Sequence, residues 1–333
     1  MKTGKLILCL CVIAALCLSM AGCGSAGSTD GKHLLVAHAH NQNHPVHLGM
    51  TAMADKMTEQ TDYTFSIYPN GQLGGNSEMI QMVKAGVLDI AKVSASSLEQ
   101  FNPAYAIFSL PYVFESTEHY FTTMNNSEAV QEIFMSTYDQ GFFAIGWYDS
   151  GARSIYTTKD GPCETPADLA GLKIRTQDSP TSIEMIRNMG GAATPMSSGE
   201  VYTSLQQGII DGAENNETVL VDDGHGEVAK SYTYTQHQYT PDIVIISTET
   251  WESMSPEAQQ ALMQAMADSW QVHEDKWLEI VQRNIDGAKE MGVNFYTIDK
   301  APFIEAVQPQ HEAFCAKSED NARYLEDFLS YAD

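Results

Sequence analysis

Along this chain the hydrophobic pattern switches repeatedly between a period of two and a period near 3.6, the signature of strands alternating with helices. Leu34 to Ala39 is a short apolar run. Val46, Met50, Met53 and Met57 follow at helical spacing, four, three and four residues apart. Tyr63 to Tyr68 alternates again, with Phe65 and Ile67 set against polar neighbours, and Pro69-Asn70-Gly71 turns the chain. Ser77 is placed to cap a helix carrying Ile80, Val83 and Val87, and Leu88 to Val93 reads as a third strand. Beyond it, Ser127 opens a helix with Val130, Ile133 and Phe134, and Phe142 to Trp147 and Ile243 to Ile246 read as buried strands. Thr165-Pro166 and Ser179-Pro180 pair an N-cap with proline at the first helical position. Ser197 and Glu200 fit a capping box, closed by Gly208. This order predicts α/β domains whose sheets are covered by helices.

One pattern is longer than the rest. Ser255 caps a helical run that begins at Pro256 and meets no breaker until Gly287 and Gly292. Such a helix spans roughly 45 Å, more than one small domain, and so predicts a bridge between two. Met263, Met266, Trp270, Trp277, Ile280 and Val281 suit its inner face.

The N-terminus changes the picture of where this happens. Lys2 and Lys5 precede an uncharged run from Leu6 to Met20, shorter than the roughly 20 residues of a comfortable membrane span. Met20-Ala21-Gly22-Cys23 resembles a bacterial lipobox, with Met20 in place of the usual leucine. It implies cleavage before Cys23 and a lipid on its sulfur, with residues 23–31 as a flexible tether. An ordinary cleaved signal peptide is the alternative. Cys9, Cys11 and Cys17 leave with the signal, so Cys163 and Cys315 are left, either paired or as two thiols. The formal charge of the whole chain is -25, with 43 acidic residues against 18 basic, which excludes nucleic acid as an expected partner. A site for an anion on such a surface has to be local and concave.

Against that background Arg175 stands out. It ends the run Gly171-Leu172-Lys173-Ile174-Arg175, a short strand entered from a tight turn, and the chain has few arginines. A guanidinium at a strand end suits a carboxylate held by two parallel hydrogen bonds, or else a surface or interdomain ion pair. A second constellation competes with it: His38, His40, His44 and His47 fall within ten residues. His38 and His40 share a face of a strand and His44 and His47 a face of a helix, so a metal-capture site is the alternative expectation. No Gly-x-Ser-x-Gly elbow, phosphate loop or His-Glu-x-x-His occurs, so neither an enzyme nor a cofactor is expected. Asp222-Asp223, in a polar stretch, reads as solvated.

Five blocks carry a family resemblance: Tyr68 to Gly74 (YPNGQLG), Phe108 to Phe114 (FSLPYVF), Gly171 to Arg175, Glu200 to Gly208 (EVYTSLQQG) and Ile209 to Asn215 (IIDGAEN). Together they resemble the solute-binding subunits of TRAP (tripartite ATP-independent periplasmic) transporters. The resemblance implies a two-domain periplasmic-binding-protein-like fold with hinge segments and a long helix across both domains. The expected division is 32–150 plus about 242–280 for the first domain, and 151–241 plus about 281–333 for the second. It implies extracytoplasmic capture of an organic acid, either a sugar acid such as a uronate or a C4-dicarboxylate. The acid is delivered to a permease of one large and one small membrane subunit.

Residue by residue, Arg175 matches the position that clamps the carboxylate, Arg153 a second basic position, and Asn215 the amide completing the clamp. Asn76 sits in the loop that reaches the ligand from the first domain. Ser94 falls where some sugar-acid binders carry an acidic acceptor for hydroxyls, and Ser198 where some carry an aromatic cover; both departures argue against a sialic-acid-type ligand. Gln42, Asn43 and His44 add polar groups that lean toward a hydroxylated acid. His237 and Tyr239, near the crossing back to the first domain, either touch ligand or pack the hinge. Two arginines with no ligand between them would repel, which favours an open empty state.

Overall fold

A computed structural model describes residues 32–332; the signal segment, Cys23 and the rest of the tether lie outside the described residues. Two sheets organise the chain. The first has the order β2-β1-β3-β10-β4, built from β1 (His33–Ala37), β2 (Thr64–Tyr68), β3 (Ile90–Ser94), β4 (Phe142–Tyr148) and β10 (Asp242–Ser247). Here β1, β2 and β3 run parallel, while β10 pairs antiparallel with both β3 and β4. The second has the order β11-β9-β5-β8-β6-β7: β5 (Ala152–Thr157), β6 (Lys173–Thr176), β7 (Ala192–Pro195), β8 (Gly212–Asn215), β9 (Ser231–Tyr239) and β11 (Asn294–Thr297). The chain passes from one sheet to the other at 149–151, between β4 and β5, and back at 240–241, between β9 and β10. The α/β two-domain architecture is therefore as the sequence implies.

Helix α1 (Pro45–Gln60) buries Val46, Met50, Met53 and Met57 completely, the face its spacing predicts. Helix α2 (Asn76–Lys84) differs from expectation at both ends. Its N-cap is Gly75, whose N–H donates to the Glu78 carboxylate at 2.9 Å, not Ser77. It stops before Val87, which is 60 % exposed. Helices α3 (Ala95–Leu98), α4 (Thr117–Asn126) and α5 (Glu128–Met135) complete the first domain's central run. In the second domain follow α6 (Pro180–Asn188), α7 (Val201–Gln206) and α8 (Val219–Asp222), then α9 (Thr248–Ser253) beside the first sheet.

Helix α10 runs from Pro256 to Glu290, with the Ser255 hydroxyl accepting from the Ala258 N–H. Its early turns pack on α1 and β4 and its later turns on α8, so it spans both domains. A Cβ added at Gly146 of β4 would sit 2.6 Å from Met266, so glycine there is what lets helix and strand approach. Met266, Trp277 and Ile280 are buried as expected, and Trp270 and Val281 half-buried. Met263 is 41 % exposed: one residue past buried Leu262 is a rotation of about 100° toward solvent. Polar groups also occupy the seam. His273 stacks between Tyr148 and Trp277, and the Asn284 side-chain oxygen accepts from the Val221 and Asp222 N–H groups at 3.1 Å each.

The C-terminus departs from the expected division. Helix α11 (Ala301–Cys315) buries Phe303 and Val307 with Ile155, Leu169 and Ile174 of the second domain. Helix α12 (Glu319–Leu329) crosses back. Its Tyr324, Leu325 and Phe328 join the first domain's core, and Phe328 carbonyl pairs with His119 at 2.8 Å. An amphipathic helix buries its apolar face wherever a partner face is open, and here that face lies over α5 and Phe108. Cys163 and Cys315 are free thiols packed in different cores.

Candidate ligand-binding site

A cavity of about 750 Å³ lies between the two domains. Its first-domain wall comes from the carboxyl ends of β1 and β3, the loop before α2 and the start of β10. Its second-domain wall comes from β5, β6 and β8, with the segment 195–199. Ligands in open α/β sheets collect at the carboxyl ends of strands, where connections diverge. The walls approach closely at the rim: a Cβ placed on Gly75 would lie 4.0 Å from that of Ser197. Gln177 spans the gap, donating to Ser94 at 3.0 Å and accepting from Ser96 at 2.6 Å. Glu99 of the first domain also reaches across, accepting from Ser179 Oγ at 2.6 Å and Thr181 Oγ1 at 2.7 Å at the start of α6.

Arg153, Arg175, Asn215, Asn76, Ser94 and Ser198 all line this one cavity. Arg175 leaves the turn at Gly171, whose φ of +79° favours glycine, and runs along β6 between β7 and β8. It is 4 % exposed, and its Nε and Nη2 donate to the Met196 carbonyl at 3.0 and 2.8 Å. Those contacts use two of the five N–H donors of a guanidinium; the other three have no partner among the described residues. Burial lowers the basicity of Arg175, Glu214 offsets part of that, and Arg153 adds to it.

Arg153 is held differently. Nε and Nη2 grip the Glu214 carboxylate at 2.5 and 2.9 Å, Nη2 also donates to the Glu214 carbonyl, and Nη1 donates to Asn215 Oδ1 at 2.7 Å. Glu214 is fully buried. Burial alone would raise its carboxyl, but Arg153 and His237 outweigh that and hold it at about 2. The expected repulsion between two bare arginines is thus corrected: Glu214 neutralises one of them. Asn215 uses its oxygen on Arg153 and on the Asn216 N–H at 2.9 Å, which turns its amide nitrogen away from them.

The remaining expectations fall outside the cavity. Gln42 is exposed and does not line it. His44 is the N-cap of α1, its Nδ1 accepting from the Val46 N–H at 3.2 Å. His237 is fully buried, bonded to Thr235 Oγ1 and 3.6 Å from Glu214, where it packs the hinge side of that carboxylate. Tyr239 packs in the first domain's core against Tyr120.

The histidine cluster does not assemble a metal site. Among the described residues no group of three or more histidine, cysteine or acidic side chains is placed to hold an ion. His38 Nε2 is bonded to His47 Nδ1 at 2.9 Å while its buried Nδ1 has no hydrogen-bond partner, and burial pushes the ring down to about 2. His40 stacks on His44 with centroids 3.8 Å apart. Its Nε2 takes Lys92 Nζ at 2.6 Å, an ammonium where a metal would have to sit.

Glu214, Lys92 and Asp242 are among the site groups that were not singled out from sequence. Lys92 had a signal, a charge inside the apolar strand Ile90-Ala91-Lys92-Val93. Asp223, expected to be solvated, lines the cavity, and its walled position raises its carboxyl. Asp222 is bound by Arg283 and by the Asn284 amide.

Comparison with known proteins agrees with this arrangement. Residues 36–318 match the family described as bacterial extracellular solute-binding protein, family 7 (DctP). The chain is 43% identical over 282 residues to the YiiZ protein of Salmonella typhimurium, covering 84% of this chain and 86% of that one. It is similar to the crystal structure of a TRAP solute-binding protein from Anaerococcus prevotii with bound D-glucuronate, with 40% identity and a TM-score of 0.88 over 90% of this chain and 98% of that one. A Xanthobacter autotrophicus TRAP solute-binding protein with bound β-D-galacturonate gives 31% identity and a TM-score of 0.85 over 89% and 99%. With the family matched along most of its length and an interdomain cavity lined by its buried arginines, the chain belongs to the DctP family of TRAP transporter solute-binding subunits, non-catalytic carriers that work outside the cytoplasm.

Proposed function

We propose that this protein captures a uronate-type sugar acid and delivers it to a TRAP permease. The carrying observation is Arg175, a buried guanidinium lining a crevice between two domains with three donors unpartnered among the described residues. A carboxylate supplies the matching acceptors, in a bidentate pair along the free edge. Each charged hydrogen bond contributes about 1.5–3 kcal/mol, more reliably once water is excluded. Asn215 adds an amide donor, and Arg153, its charge met by Glu214, orients that amide. Uronates bound to related proteins of 31–40% identity favour this class over a bare dicarboxylate. Ligand contacts to both walls would favour the closed arrangement, a shift in population toward that state.

Isothermal calorimetry with D-glucuronate, D-galacturonate and succinate tests the reading. Saturable binding of a uronate in preference to succinate is expected; binding of succinate alone overturns the class. A lipid on Cys23, as the lipobox-like sequence suggests, would hold the carrier at the membrane beside its permease. Cys23→Ala would then release the protein from the membrane fraction, and retention there would refute the anchor.

A further inference from the structure

The first-domain wall of the crevice carries a polar cluster of its own. Lys92 on β3 and Asp242 on β10 are 2.9 Å apart, with side chains 3 % and 8 % exposed. Strand register explains why they meet. Asp242 lies opposite Ser94 and Val244 opposite Lys92, so Lys92, Ser94 and Asp242 share one face while Val93 and Ile243 enter the core behind. His40, from the loop after β1, completes the cluster by accepting from Lys92 Nζ at 2.6 Å. All four residues line the cavity that also contains Arg175.

The chemistry of this cluster differs from that of a carboxylate clamp. An ammonium has three donors. Two point at Asp242 and His40, and the third has no partner among the described residues. Asp242 takes Lys92 on one oxygen, Oδ2, which also lies 3.4 Å from His40 Nε2, and its Oδ1 has no hydrogen bond among the described residues. The pair thus presents one N–H donor beside one carboxylate acceptor, with charges that cancel. A second carboxylate entering here would meet Asp242 without a free cation, with Asp223 also lining the cavity. A hydroxyl meets no such penalty, because it both donates and accepts and can satisfy the two groups at once.

We propose that Lys92 and Asp242, steadied by His40, are the specificity-determining pair of the crevice. They read hydroxyl groups on the part of the acid remote from its carboxylate, and they reject a second carboxylate. This rests on the uronate reading above and extends it to residues outside the clamp. It explains how one chain could separate a sugar acid from a dicarboxylate although both present the same carboxylate to Arg175.

The test uses the intact protein and calorimetry with D-glucuronate, its monodeoxy analogues and succinate. A site built around hydroxyl contacts loses affinity steeply when a hydroxyl is missing, because its buried polar groups are left unpaired. At least one monodeoxy analogue is expected to bind about 100-fold more weakly than D-glucuronate, and succinate at least as poorly. In the double variant Lys92→Met with Asp242→Asn, which avoids stranding a buried charge, that discrimination is expected to fall to within about threefold. Deoxy analogues that all bind the wild type within threefold of D-glucuronate would overturn the inference. So would a folded double variant that still discriminates. The wild-type series can overturn the inference even if the variant does not fold. Uronate binding without discrimination sinks this inference alone, whereas no uronate binding at all sinks the functional reading with it.

Discussion

Arg175 and Lys92 are both buried cations on the same cavity, yet the two walls that carry them are in opposite electrostatic states. On the second domain's wall, Glu214 neutralises Arg153, and Arg175 keeps most of its donors with only a backbone carbonyl as partner. On the first domain's wall, Lys92 is already compensated by Asp242. The difference teaches that a basic residue marks an anion site only when its charge is left unspent. Of the cations that line this cavity, Arg175 meets that condition best.

The most severe way to break the comparison is Arg175→Ala. Removing two charged hydrogen bonds of about 1.5–3 kcal/mol each should weaken D-glucuronate binding by about 10²- to 10⁴-fold, while the melting temperature of the empty protein changes little. Calorimetry showing less than a tenfold loss would place the grip elsewhere. Arg153→Ala should give the reverse signature. It strands the fully buried Glu214 carboxylate, and denaturant titration should record a stability loss of about 3–5 kcal/mol. A matched Glu214→Gln in that background should recover part of the loss. If Arg153→Ala is as stable as the parent, the division of labour between the arginines is wrong.

Acid sharpens the same contrast. Glu214 sits at about 2 in the folded protein against an ordinary value of 4.5. A depressed carboxyl contributes stability that is fully present above the unfolded value and lost as pH falls through the folded one. Unfolding free energy should therefore drop between about pH 4.5 and 2, by up to about 3 kcal/mol from this group, and Glu214→Gln should flatten that part of the profile. An unchanged acid slope in the variant would mean another carboxylate carries it. The smallest effect is expected at Glu99, which ties the walls together through Ser179 and Thr181. Glu99→Gln keeps its shape and one acceptor. It should weaken ligand binding about fivefold, with the order of preference among acids unchanged. A change in that order would show that Glu99 shapes the pocket as well as holding it.

What could be read from the chain depended on how local its cause was. The start of α10 was legible because Ser255 and Pro256 specify it within one turn, and the face of α1 because four methionine and valine positions repeat within one helix. Arg175, Arg153 and Asn215 were legible through the resemblance of their motifs. Lys92 was not, because its partner lies on β10 and only strand register shows that the two share a face. The histidines misled for the opposite reason. Closeness in sequence suggested a shared ion, but the fold uses one nitrogen of each on another histidine, on a helix cap or on Lys92. The placement of α12 was hidden too, since an apolar helix face announces that it will be buried and not against which domain.

The position of β10 and α12 sets the order in which the domains can be completed. The first sheet needs β10 inserted between β3 and β4, and its outer layer needs Tyr324, Leu325 and Phe328 from nearly the last turn of the chain. Residues 32–148, however soon they leave the ribosome, cannot close their own core. Contacts of such long sequence separation form slowly, so the first domain's core is completed only once β10 and α12 are in place. The most N-terminal domain is thus the one finished last.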